Sequence, residues 1–203
     1  MGTSISVGST CERENRKVRY TKQVIREAFI ELMQEQPIEK VTVTRICELA
    51  DISRGTFYLH YRDPYDLLET MENELLLDLE LHFIAVMNVS VPDYSVDSAV
   101  DYSREAGFWL EILVWLLEDR NLSKLLFANP HSSFITKCLV LNRTFSDELC
   151  KNVYPDLSQD EREYMHTFYE YGSASIISTW VQNDFREPPE QIANLLAMLN
   201  SKH

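Results

Sequence analysis

Val41-Thr42-Val43-Thr44-Arg45-Ile46-Cys47-Glu48-Leu49-Ala50-Asp51-Ile52-Ser53-Arg54-Gly55-Thr56-Phe57-Tyr58-Leu59-His60-Tyr61 is the stretch that decides the fold of the N-terminal part of this chain. Val43, Ile46, Leu49 and Ala50 recur at helical spacing behind Thr42, whose hydroxyl can satisfy the free N–H groups of a helix start. Ser53 caps a second short helix running through Phe57, Tyr58 and Tyr61. Two short helices joined by so tight a turn make a helix-turn-helix. Asp51 tolerates the left-handed backbone of such a turn better than most non-glycine residues. Ile52 pins the turn to a core of Ile46, Leu49 and Phe57. The face left over presents Arg54, Thr56, Tyr58 and His60, all hydrogen-bond donors and none acidic. Arg can bridge a guanine edge, Thr can meet a base edge or a thymine methyl, and Tyr or His can reach phosphate. An ordinary helical hairpin with a polar outer face carries the same pattern.

Charge distribution bears on that choice. The 203 residues carry a net charge of -13, which at first argues against nucleic acid. Residues 1–66 hold ten Lys and Arg against ten Asp and Glu, whereas residues 67–203 hold nine against twenty-two. The whole deficit therefore lies downstream of the motif. Arg13, Arg16, Lys17, Arg19, Lys22 and Arg26 cluster with only Glu14 as an acid among them. A basic edge on an acidic molecule attracts phosphate at one end and repels it elsewhere; a solvated basic tail is the plainer alternative.

Helical periodicity recurs from Tyr20 to the end, and strand signals are nearly absent. Val24, Ile25, Ala28, Phe29, Leu32 and Met33 form a first helix stopped at Gln36-Pro37. Asp63-Pro64 with Asp66 opens a fourth helix of about 24 residues, or roughly 36 Å. Pro92-Asp93, Asn129-Pro130, Tyr154-Pro155 and Pro188-Pro189 divide the remainder. Ser158 and Glu161 have capping-box spacing. The expectation is an all-α protein of about nine helices: residues 1–15 as a flexible leader, 16–63 as a three-helix helix-turn-helix domain, and 64–203 as a helical bundle for ligand sensing and dimerisation.

With 45% hydrophobic and 11% aromatic residues, the chain can bury a sizeable core. No apolar run approaches membrane-span length, and Met1–Glu12 holds no apolar stretch of signal-peptide length, so the expected location is cytoplasmic. Cys11, Cys47, Cys138 and Cys150 form no C-x-x-C pair and have no histidine at zinc-ligand spacing. No metal, no cofactor and no catalytic residue is expected: the histidines are scattered, and neither a glycine-rich phosphate loop nor a nucleophile motif is present.

The motif and its flanks resemble the TetR/AcrR family of bacterial one-component regulators. Thr42-Val43, Ile46, Ala50, Ile52-Ser53, Gly55-Thr56-Phe57-Tyr58, His60-Tyr61 and Leu67-Leu68 carry the likeness, which covers about residues 18–70. The stretch Phe108–Phe134 resembles a C-terminal subgroup that includes regulators near dihydroxyacetone-kinase genes. The resemblance implies phosphate contacts by Thr42 and Thr44, groove contacts by Arg54, Gly55 and Thr56, and backbone contacts by Tyr58 and His60. Lys17, Arg45, Ser53 and Tyr61 complete the expected DNA-binding set. Pro64 stands where the family usually has a phosphate-binding lysine, and Asp51 where it usually has glycine. The family's acid near Arg45 is missing, which frees that arginine for phosphate.

The same resemblance implies a ligand pocket within the fourth to seventh helices and pairing of the last two helices with their mates. Candidate liners are Phe83, Met87, Tyr102, Phe108, Trp109, Trp115, Phe127, His131, Phe134, Phe145 and Tyr164; ordinary packed core is the alternative. Met165, Phe168, Tyr169, Gly172, Ile176, Thr179 and Trp180, with Ile192, Leu195, Leu196 and Leu199, form the candidate dimer stripe; intradomain core is again the alternative. The expected partners are palindromic double-stranded operator DNA, a second copy of the chain and a small-molecule effector, with no membrane. The expected function is a repressor released from its operator by that effector. The competing reading is a protein-interaction module or co-activator of the same fold with weak or lost DNA binding.

Overall fold

The computed structural model describes residues 7–90, 102–129, 131–153 and 155–200. Among them are nine α-helices and no strand: α1 Val7–Glu35, α2 Val43–Leu49, α3 Arg54–Tyr58, α4 Pro64–Ser90, α5 Tyr102–Glu118, α6 Arg120–Ala128, α7 Phe134–Val153, α8 Gln159–Gln182 and α9 Pro189–Asn200, with a 3-10 turn at Ile38–Lys40. The chain divides into two compact units, Met1–Thr70 and Met71–His203. The division falls within α4, several residues after the expected boundary, because buried Leu67 and Leu68 leave the first turns of that helix in the first unit. Helix α1 begins at Val7, inside the segment expected as a leader. No proline interrupts residues 7–35, and Arg, Lys and Glu there are good helix formers.

In the first unit, Ile25, Phe29, Ile46, Phe57 and Leu67 are fully buried, each worth about 1.5–3 kcal/mol of apolar transfer. The caps stand where the sequence spacing puts them. Thr42 Oγ1 accepts from the Arg45 N–H at 3.3 Å, and Asp63 Oδ1 accepts from the Asp66 N–H at 2.9 Å. Asp51, at φ 51°, closes α2 in the left-handed region, and the Ile52 N–H bonds back to the Cys47 carbonyl at 3.0 Å. That 6→1 bond is the signature of a Schellman end, with Asp in the usual glycine position.

The core of the second unit joins Leu113 and Leu116 of α5, Ile177, Trp180 and Val181 of α8, and Ile192, Ala193 and Leu196 of α9. Trp109, Trp115 and Phe127 pack against it. The turn between α8 and α9 places two non-glycine residues, Asp184 and Phe185, at φ 61° and 55°. A left-handed Phe costs about 1–2 kcal/mol. Offsetting contacts surround it: Phe185 stacks edge-on against Trp180 at 5.0 Å, and the Arg120 guanidinium lies 4.7 Å over its ring. Lys124 pairs with the Asp184 carboxylate at 2.6 Å. The early turns of α8 bury polar groups instead of apolar ones. Arg143 reaches Glu163 at 2.5 Å and Glu170 at 3.4 Å, and His166 Nδ1 stands 3.8 Å from Glu170. Ser158 and Glu161 make both bonds of a capping box at the start of the helix.

Among the described residues, no helix is long and apolar enough to cross a membrane, and no group of three or more His, Cys, Asp and Glu could hold a metal ion.

Candidate nucleic-acid interface

The sequence places a cap before each short helix, and the caps set what the motif presents. Ser53 Oγ accepts from the Thr56 N–H at 3.0 Å and lies 2.8 Å from the Thr56 hydroxyl. Both hydroxyls therefore hold the start of α3, and Thr56 is half-buried. Arg54, Gly55 and Tyr58 are exposed on the outer face of α3, while Phe57 is fully buried beneath it. The Tyr58 ring stands edge-on to Phe57 at 5.7 Å, which steers the phenol outward. A Cβ added at Gly55 would meet only Ser53 Oγ, at an ordinary 3.6 Å. Nothing inside the protein requires glycine there, so the requirement would come from something approaching the backbone from outside.

Thr42 is exposed at the start of α2, and Thr44 is half-buried behind it. Arg45 is paired with Glu48 at 3.0 Å, with both side chains more than half exposed. Such a surface pair is worth at most about 1 kcal/mol and is readily exchanged for a phosphate. Glu48 is thus a nearby acid that the expectation of an unpaired Arg45 missed; its i,i+3 spacing was the available signal. Lys17 is exposed on α1, and His60 is half-buried with its ring 6.2 Å from that of Tyr61.

Tyr61 stands apart from this set. It is 2% exposed and packs against Phe57 at 5.8 Å, so it belongs to the core of the first unit and cannot reach DNA. Its hydroxyl has no hydrogen-bond partner among the described residues. Arg62, absent from the expected set, is largely exposed next to it. Its guanidinium donates to Asp66 Oδ1 at 2.7 and 3.0 Å, and those bonds hold the Asp66 carboxyl below its ordinary pKa.

The expected pocket residues scatter. Phe83, Met87, Tyr102 and Phe145 lie outside the residues whose side chains are described. Phe134 is fully buried against Phe127 at 5.6 Å, and Trp109 and Trp115 are core-packed. Phe108 is half-buried, edge-on to Trp109 at 5.5 Å. His131 is exposed, and Tyr164 is 76% exposed on α8, so neither stands in an enclosed cavity. Buried Glu72, missed in the sequence, ties α4 to the start of α7 instead, accepting from Ser133 and Lys137. Burial pushes the Cys138 thiol up to about 12, and burial raises Cys47 against the opposing charge of Arg54; neither is poised as a nucleophile.

The candidate dimer stripe divides in two. Trp180, Ile192 and Leu196 are at most 7% exposed within their own chain, so they form its core and cannot face a partner. Trp180 Nε1 also donates to the Glu187 carbonyl at 2.8 Å. Phe168, Gly172 and Thr179 are exposed on the opposite side of α8, and Leu195 and Leu199 are exposed on α9. Met165, Tyr169 and Ile176 lie between the two sides, half-buried. Tyr171 and Met198 are exposed apolar neighbours that the stripe omitted. Asn200 Nδ2 donates to Ser173 Oγ at 3.1 Å and fastens the two helices together.

Two protein families match this chain. The model described as bacterial regulatory proteins, tetR family, matches residues 25–71, and the one described as transcriptional regulator C-terminal region matches residues 106–202. An uncharacterized HTH-type transcriptional regulator of Bacillus subtilis (strain 168), YxbF, is 31% identical over 51 residues, which make up 25% of this chain and only 13% of that relative's length. The dihydroxyacetone kinase operon activator DhaS has a similar fold, with a TM-score of 0.55 at 18% identity over 88% of this chain and 93% of that one. The helix-turn-helix that opens the chain and the helical region that follows it together place this protein in the TetR family of DNA-binding transcriptional regulators.

Proposed function

We propose that the protein acts as a homodimer on palindromic operator DNA, with α3 in the major groove, and that a small-molecule effector releases it, relieving repression. The observation that carries the DNA reading is the outer face of α3. Arg54, Gly55 and Tyr58 stand exposed on a capped, rigidly seated helix, beside a glycine that the fold itself does not need. Arg54 is the candidate base reader. Thr42, Arg45, Lys17 and His60 are candidates for phosphate, while Ser53 and Thr56 hold the helix start.

One short helix covers too few base pairs to be selective, so half-site recognition needs two copies about 34–36 Å apart. The exposed apolar face of Phe168, Tyr171, Leu195, Met198 and Leu199 supports the partner being a second copy. A ligand acts by binding the conformer with the wrong half-site spacing more tightly than the correct one. Activation is the second reading, favoured by the fold likeness to a protein named as an operon activator.

Selection of bound sequences from a random duplex pool tests the proposal, followed by a salt titration on the winner. A palindromic consensus with steeply salt-sensitive affinity is the expected result. No enrichment by a folded dimer at low salt would overturn it in favour of a protein-interaction module.

A further inference from the structure

Helix α1 begins at Val7, and its first buried side chain among those described is Ile25, so about 27 Å of helix precedes the point where the core takes hold. The tetR-family match starts at that same residue, so this overhang lies before it. Arg16, Lys17, Arg19 and Tyr20 are all exposed. At about 3.6 residues per turn they share less than half of the helix circumference, and Arg16, Lys17, Tyr20 and Thr21 border one shallow surface groove. A helix without an apolar face against a core is marginal in water, because most helical stability comes from tertiary packing.

Charge selects what covers it. Residues 13–26 hold six Lys and Arg against the single acid Glu14, on a chain whose net charge is -13. A polyanion complements that strip, whereas an apolar partner does not. Position selects the polyanion. Val24, Glu27 and Ala28 of α1 line a groove with Leu49, Ala50 and Asp51, so the overhang leaves the core beside the turn that leads into α3.

We propose that the α1 overhang binds the phosphate backbone of duplex DNA flanking the half-site, through Arg16, Lys17 and Arg19 with the Tyr20 hydroxyl beside them. This rests on the operator-binding reading and extends the footprint beyond α3. The contacts go to phosphate, so they add affinity without adding to the consensus.

The test uses the full-length dimer and the triple variant Arg16→Ala, Lys17→Ala, Arg19→Ala, titrated with salt on the selected operator carrying long or minimal flanks. On long flanks, the salt slope of the variant is expected to be shallower by about 2.7, at roughly 0.9 per lost phosphate contact. Between 50 and 200 mM salt the unmodified protein then loses about 40-fold more affinity than the variant. Its preference for long flanks should vanish in the variant, while the selected consensus stays the same. Equal slopes for the two proteins, with operator binding intact, would overturn the proposal alone. So would an altered oligomeric state by sedimentation with an unchanged slope, which would assign the strip to the acidic unit of another copy. Failure of the unmodified chain to bind any duplex would overturn the operator reading as well.

Discussion

The Lys137 ammonium lies 2.9 Å from the carboxylate of Glu72, a side chain only 3% exposed. Glu72 also accepts from the Ser133 N–H at 2.9 Å and the Ser133 hydroxyl at 2.6 Å, so a carboxylate from α4 caps the start of α7. Burial alone would raise its pKa, but hydrogen bonds from Ser133, Lys137 and Ser132 outweigh burial and hold it below the ordinary value. A carboxyl whose pKa is depressed by folding stabilises the protein above its unfolded value, and that stabilisation is lost as pH falls through the folded value. Glu72→Gln is expected to cost about 2–3 kcal/mol near pH 7, read by urea unfolding. The gap should narrow below about pH 4.3, where the unmodified carboxyl begins to protonate. A constant gap down to pH 3 would contradict this account.

Gly55 separates fold from function. An added methyl meets only Ser53 Oγ at 3.6 Å, and alanine is the better helix former by up to about 1 kcal/mol. Gly55→Ala should therefore leave the melting temperature unchanged or raised, yet reduce operator affinity at least about tenfold, equivalent to 1.4 kcal/mol. Anisotropy titration alongside thermal melting reads both. Unchanged affinity would mean that α3 does not approach DNA at this residue.

Tyr61 reverses that pattern. Its buried hydroxyl has no partner among the described residues, so Tyr61→Phe removes a polar group without breaking a bond. Stability should hold or rise by about 1 kcal/mol, and operator affinity should not change. A drop in affinity would return Tyr61 to the contact set. Loss of the Ser53 cap is the contrasting case, since Ser53→Ala should cost about 1 kcal/mol and disorder the start of α3.

Phe168 and Trp180 lie on one helix and should fail differently. Phe168 is 73% exposed, and Phe168→Arg is expected to give a monomer by sedimentation with its helical circular dichroism intact. Trp180 is fully buried, so Trp180→Ala should cost about 3–5 kcal/mol of stability. A dimeric Phe168→Arg protein would move the interface elsewhere.

What the sequence determined by itself is what neighbours along the chain decide. Thr42, Ser53, Asp63 and Ser158 cap helices because a side chain a few residues away satisfies free N–H groups, and Asp51 closes a turn by its own backbone preference. The helix-turn-helix is local in this sense, so its caps, its turn and the exposure of Arg54 and Tyr58 were legible. Only tertiary structure decided which side of an apolar helix faces inward. Helix α8 is apolar on two sides, and periodicity alone could not place Trp180 within and Phe168 without. Nor could it show that Ile192 and Leu196 fill the chain's own core, that Tyr61 turns inward, or that Glu72 is buried. Each of these depends on a partner distant in sequence, such as Leu113 for Trp180 and Ser133 or Lys137 for Glu72. Helical spacing fixes which residues share a face; only packing fixes what that face meets.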